Sequence, residues 1–243
     1  MNYDFINLSP LGFIAGFSPT FVIIFIGTAI VSWLVSHTMK RRFSEYSQTP
    51  IRYTGAQIAE TMLRENGIND VRVVSTPGRL TDHYDPTSKT VNLSEAVYGM
   101  NNIAAAAVAA HECGHAVQHA KAYTWLTMRS KMVPAVQFAG TTLNYVMIAG
   151  FIFAGLFQNP ALLFVWVALF AVTTLFSFVT LPVEFDASKR ALVWLEGSGV
   201  SSSIEHDKAK NALFWAAMTY VVAALGSLAM LLYYISLLLG RRD

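Results

Sequence analysis

Three histidines and a glutamate crowd into the stretch AAHECGHAVQHA, from Ala109 to Ala120. On an α-helix, positions four apart lie about one turn apart and differ in direction by about 40°, so His111 and His115 aim their imidazoles at one point. Two imidazoles at that spacing suit a tetrahedral zinc ion, and Glu112 projects beside the same face without pointing at its centre. A carboxylate so placed can take a proton from a metal-activated water and pass it to a leaving amine. The preceding IAAAAVAA makes the helix otherwise apolar, a setting in which imidazoles without a partner are costly.

A catalytic zinc needs a third protein ligand and an open position. His119 is near in sequence but about 12 Å along the helix axis from His111, too far for all three histidines to share one ion. Glu184, in LPVEFDASKRAL, ends an apolar run where a carboxylate requires a compensating partner such as a dication. It is the expected third ligand, with Asp186 in reserve; the alternative is a carboxylate facing water or paired with Lys189 or Arg190. One catalytic Zn2+ is therefore the expected cofactor. In LTDHYDP, Leu80 to Pro86, His83 and Tyr84 admit two readings. They are oxyanion donors or substrate contacts near the zinc, or they belong to an aspartate-capped turn ahead of a strand. The single cysteine, Cys113, points away from the metal face and rules out an intrachain disulfide or a CxxC knuckle.

The elements that must position these residues read as a membrane protein. The chain of 243 residues is 54% hydrophobic and 13% charged, against about 25% charged in soluble domains. Its 17 basic and 15 acidic side chains form no basic block, which excludes nucleic acid as a partner. Four stretches, about Leu11 to Val35, Pro134 to Phe157, Ala161 to Val183 and Leu213 to Leu239, are long and apolar enough to cross a hydrocarbon core, which takes about 20 helical residues. Gln158, Asn159 and Pro160 separate the middle two, so these form a tight hairpin. Lys40, Arg41 and Arg42 directly follow the first span, which places the N-terminus outside and the next segment in the cytoplasm. Arg241 and Arg242 disagree, since four spans would leave them outside.

Between the first two spans, TGAQIAETMLRENGI has helical spacing and stops at Asn66-Gly67, while DVRVVS and KTVNLS read as a short strand pair. Ser94 stands where a helix cap belongs, and Asn101 or Asn102 can cap the helix of the opening stretch. The expected fold class is mainly α: a polytopic helical membrane protein with about four transmembrane helices and a small α+β cytoplasmic subdomain. The segments are residues 1–40, an N-terminal anchor helix; 41–132, the cytoplasmic subdomain with the HExxH helix; 133–183, a transmembrane hairpin; 184–211, a cytoplasmic segment with the third ligand; and 212–243, a C-terminal transmembrane helix.

In that order among apolar spans, LTDHYDPTSKTVNLSEAVY, AAHECGHAVQHA and VEFDASKRAL resemble the YugP-like family of small bacterial membrane zinc metallopeptidases, over most of the chain from about Thr54. More distantly the arrangement resembles the HtpX and CAAX prenyl protease group of integral-membrane gluzincins. The resemblance implies a zincin-like subdomain, with His111, His115 and Glu184 as ligands and Glu112 as base. It also implies an edge strand that binds extended substrate by strand addition, Leu80 to Asp85 or Thr90 to Ser94 here. One position departs: the distant relatives carry an aspartate that buttresses a zinc-bound histidine where this chain has Ser188. Serine can bond an imidazole but brings no charge, so Asp186 and Asp82 are candidate substitutes.

The expected function is a membrane-integrated zinc endopeptidase in a bacterial inner or plasma membrane, multi-pass, with its active site at the cytoplasmic face. Its partners are the lipid bilayer and a protein or peptide substrate, membrane-borne or unfolded, with room for a regulatory membrane partner or a homo-oligomer. Two alternatives use the same residues: a zinc amidohydrolase acting on a lipid-like or other non-protein substrate, and a catalytically silent zinc-stabilised scaffold.

Overall fold

The computed structural model describes residues 18–152 and 159–240. Helix α1 (Pro19–Tyr46) is followed by α2 (Gly55–Glu65), strands β1 (Arg72–Thr76), β2 (His83–Asp85) and β3 (Thr90–Ser94), and the short helix α3 (Glu95–Tyr98). Then come α4 (Ile103–Ala120), which carries the histidines, and the long helices α5 (Thr124–Ile152), α6 (Pro160–Gly197) and α7 (Ser203–Leu239). Among the described residues three helices, α1, α6 and α7, are long and apolar enough to cross a membrane. The expected second span forms part of α5, and its end, like the start of the first span, Gln158, Arg241 and Arg242, lies outside the described residues.

The chain divides into two compact units. One takes the described parts of 1–33, 135–175 and 222–243. There, helices bearing few polar groups pair them with one another: Thr174 and Ser227 hydroxyls lie 2.6 Å apart, and Ser18 meets the Tyr233 hydroxyl at 2.9 Å. The other unit, 34–134 with 176–221, holds every residue expected to do chemistry. It therefore joins the segments 41–132 and 184–211, which are far apart in sequence.

In that unit α2 is amphipathic, burying Ile58, Ala59, Met62 and Leu63, and it starts on a capping box in which Thr54 and Gln57 exchange hydrogen bonds. Helix α4 is buried almost all round, and its alanines, from Ala104 to Ala110, let neighbours approach on several sides. Its first turn is closed by Asn102, whose side chain accepts from the Ala105 amide at 2.9 Å. Backbone bonds from Ile51 to Asn101 and from Ile103 to Thr49 tie this start to the chain leaving α1.

The expected strand pair is a three-stranded sheet, in the order β1-β3-β2. β1 and β3 run parallel, Arg72 opposite Thr90, while β2 joins β3 antiparallel with Tyr84 opposite Val91. The correction has a simple cause: β2 is only three residues long, too short for alternation to register. Asp85 makes the turn behind it, accepting from the Thr87 amide and the Ser88 hydroxyl. Ser94 does not cap α3 with its side chain; its hydroxyl and amide both donate to the Asp82 carboxylate, at 3.1 and 2.7 Å. That clamp ties the segment before β2 to the end of β3.

A second difference concerns α6. The apolar run ends near Val183, but the helix continues to Gly197, because hydrogen bonding along a helix does not stop where hydropathy does. Glu184 thus projects from the interior of a rigid helix, next to its contact with α4. That contact is made at Gly114, where a Cβ would lie 2.6 Å from the carbonyl oxygen of Ala187 and 3.1 Å from its Cα. Backbone cannot yield as a side-chain tip would, so Gly114→Ala is expected to cost about 1–3 kcal/mol, the usual penalty of overpacking. A thermal unfolding scan of the purified protein checks this: the midpoint should fall, and an unchanged midpoint would show that the two helices are not held this closely.

Candidate metal centre

Helix α4 carries two candidate ligands and α6 a third. His111, His115 and Glu184 each offer a ligand atom, all within 4.8 Å of one another. The Nε2 atoms of His111 and His115 lie 3.3 and 3.7 Å from Glu184 Oε2, and the two rings stand edge to face with centroids 4.8 Å apart. Ligands about 2.0–2.1 Å from a tetrahedral ion sit roughly 3.3 Å from one another. The two imidazole-to-carboxylate distances therefore fit zinc with little adjustment, and a neutral-nitrogen and carboxylate set is chemically what zinc accepts.

Burial sharpens the electrostatics. Glu184 is 3% exposed and His115 8%, while His111 keeps a little more access. Desolvation works against a charged imidazolium at His115, but its contact with Glu184 and the charges of Glu112 and Glu184 lift its pKa above the ordinary histidine value. A second cation approaches from α5, where Arg129 Nη1 lies 3.5 Å from Glu184 Oε1. Neither Lys189 nor Arg190 pairs with Glu184; Arg190 instead holds Asp186, Nε to Oδ2 at 2.6 Å.

Each imidazole is oriented from behind. His111 Nδ1 is 3.1 Å from the Ser188 hydroxyl, so that serine does contact a cluster histidine. His115 Nδ1 is 3.0 Å from Gln118 Oε1. Glu112 is buried, and it lines a cavity of about 170 Å³ together with His111, Glu184, Ser188, Asp82 and Tyr220. Leu80, Val108, Ala216 and Ala217 complete an otherwise apolar wall.

The remaining expected residues lie elsewhere. Asp186, the reserve ligand, is two positions from Glu184 and thus on another face of α6, engaged by Arg190 and Gln118. His119 is outside the cluster, its Nδ1 2.8 Å from the Tyr84 hydroxyl. His83 is exposed and bonded at Nδ1 to the Thr81 carbonyl. Asp82 lines the cavity but spends its carboxylate on Ser94. Cys113 is buried, its thiol turned to the Ala59 carbonyl, and burial pushes its pKa well above the usual thiol range. Gln118, Arg129 and Tyr220 are additions to the sequence reading. For Gln118 a signal existed, because it stands three positions after His115, where helical neighbours meet; Arg129 and Tyr220 arrive from distant helices with no motif around them.

Known proteins point the same way. Residues 21–239 match the model of a family described as "putative neutral zinc metallopeptidase". The chain belongs to that metallopeptidase family. Within it, the chain is 38% identical over 225 residues to a Bacillus subtilis (strain 168) protein named "putative membrane protease YugP", covering 92% of this chain and 98% of that relative. No solved structure matches the chain. Zinc is the metal the family name implies, and His111, His115 and Glu184 form a cluster of the right composition for it.

Metal analysis of purified variants tests the ligand set. His111→Ala, His115→Ala and Glu184→Ala are each expected to lose most of the bound zinc, whereas His119→Ala and Asp186→Asn should keep near wild-type content. A zinc loss at His119 equal to that at His111, with none at Glu184, would reverse the assignment.

Proposed function

We propose that the chain is a membrane-integrated zinc endopeptidase of the gluzincin type, with His111, His115 and Glu184 as ligands and Glu112 as general base. The observation that carries this reading is the meeting of two imidazole nitrogens and a carboxylate from a separate helix, at zinc-like spacing, on the wall of a cavity that also contains Glu112. Zinc, when bound, supplies Lewis acidity: it polarises a scissile carbonyl and favours deprotonation of water. The chain's own residues do the rest. Glu112 accepts the proton of the attacking water and returns it to the departing amine nitrogen. His111 and His115 are held in place through Nδ1 by Ser188 and Gln118. The Tyr220 phenol lines the same cavity, and in this reading it would donate a hydrogen bond to the carbonyl oxygen as charge develops there.

Peptide substrate is the reading that the family's description supports, and the cavity, at about 170 Å³, would take a short piece of such a chain. β2 is an edge strand beside it, and Leu80 and Asp82, just before β2, line its wall. An extended segment pairing with that edge would run past Glu112. Membrane or unfolded proteins present such segments.

The family and the three apolar helices support a multi-pass protein of a bacterial membrane, and Lys40, Arg41 and Arg42 support a cytoplasmic site. A fourth span, through α5, completes the proposed topology.

Two measurements check the reading. Glu112→Gln should retain zinc and lose about 10²–10⁴-fold in kcat on unfolded or membrane-protein substrates; turnover equal to the parent protein would end the catalytic assignment. For topology, Glu196 is exposed at the end of α6 and Cys113 is buried, so a Glu196→Cys, Cys113→Ala protein offers one accessible thiol. A membrane-impermeant maleimide should label it only after the membrane is opened; labelling of intact cells would place the site outside.

A further inference from the structure

Gln118 is fully buried, with no side-chain atom left to water, one turn beyond His115. Its Nε2 lies 2.8 Å from the Val183 carbonyl and 2.9 Å from Asp186 Oδ2. Both of these groups accept hydrogen bonds: a backbone carbonyl has no proton, and Asp186 is ion-paired to Arg190. The amide is therefore fixed in one orientation, since turning it over would set its oxygen against two acceptors. In the allowed orientation Oε1 faces His115 Nδ1 at 3.0 Å, and an amide oxygen can only accept. Nδ1 must hold the proton.

We infer that Gln118 is a positioning residue that selects the Nδ1–H tautomer of His115 and so leaves its Nε2 lone pair turned toward Glu184 and the metal position. The inference rests on the zinc reading above and adds how the site is kept ready for the ion. The supporting carboxylate, Asp186, stands behind His115 and acts through an amide. The chain of bonds runs from Arg190 to Asp186, to Gln118 Nε2, and from Gln118 Oε1 to His115 Nδ1. A polarised amide strengthens the imidazole as a donor to metal without burying a third negative charge beside Glu184 and Glu112. His111 lacks such enforcement, because the Ser188 hydroxyl can either donate or accept.

The test uses the full chain, metal-free, labelled with 15N-histidine and held above the imidazolium range, with His115 assigned by loss of its signals in His115→Ala. Long-range proton–nitrogen correlations should show the neutral His115 ring with its proton on Nδ1. In Gln118→Met, of similar bulk, that preference should disappear, and zinc affinity, measured by competition with a chelator, should fall about 10–100-fold. Gln118→Glu should not restore it, because its second oxygen would face the Val183 carbonyl and Asp186. A residue that merely filled space would change the unfolding midpoint and leave both tautomer and zinc affinity alone. A wild-type ring protonated at Nε2, or a Gln118→Met protein that binds zinc as the parent does, overturns the inference. The wild-type tautomer decides the matter even if the variants fail to fold. Absence of zinc binding by the parent protein would sink the metal reading instead, and the tautomer result would still judge Gln118.

Discussion

An ionised carboxylate taken out of water must be met by positive charge or by donors, or it costs several kcal/mol. Glu184 is such a group: it sits at 3% exposure on a helix that is otherwise apolar for most of its length. Around it the chain assembles two imidazoles from α4 and a guanidinium from α5. Both imidazoles and the guanidinium reach its oxygens within 3.3–3.7 Å. In the function proposed above a dication between the three closest groups would add to that compensation, and the remaining architecture keeps that position intact.

Close packing makes the meeting possible. The second of the two residues between Glu112 and His115 is Gly114, and the helix opposite presents Ala187 there, so the two backbones come together at van der Waals distance. Ala187 lies three positions after Glu184 on the helix, which fixes the carboxylate about one turn from the contact. The alanine run ahead of the histidines does the same on other sides, admitting α2 and the sheet to a helix with almost no exposed face. Precision at the ligands follows from rigid helices rather than from loops, and side chains behind the imidazoles remove the last rotational freedom. The support is largely neutral, a hydroxyl and an amide, so that negative charge next to the ion is confined to Glu184 and Glu112.

Much of this was legible from residue types and spacing because α4 obeys a strict local rule: four positions make one turn, so two imidazoles converge whatever the tertiary fold. Glu184 could be reached by asking which carboxylate had no business beside lipid, a question about solvation rather than shape. The residue pattern did not show the third strand, which only the family resemblance offered within Leu80 to Asp85, because its pairing is decided by β3 and by the Asp82 clamp, not by any pattern in three residues. Gln118 was visible yet mute: a glutamine on a helix usually faces water, and its role emerges only when Val183 and Asp186 arrive from a helix more than sixty positions away. Tyr220 and Arg129 belong to the same class, since nothing local marks a phenol or a guanidinium on a long apolar helix as part of a site.

The central claim, one ion shared by two histidines of α4 and a carboxylate of α6, is met most directly by X-ray absorption at the zinc edge of the metal-loaded protein. The account requires a shell of nitrogen and oxygen atoms only, near 2.0–2.1 Å, with outer-shell scattering from two imidazoles. A sulfur neighbour at about 2.3 Å, or scattering from three imidazoles, would contradict it.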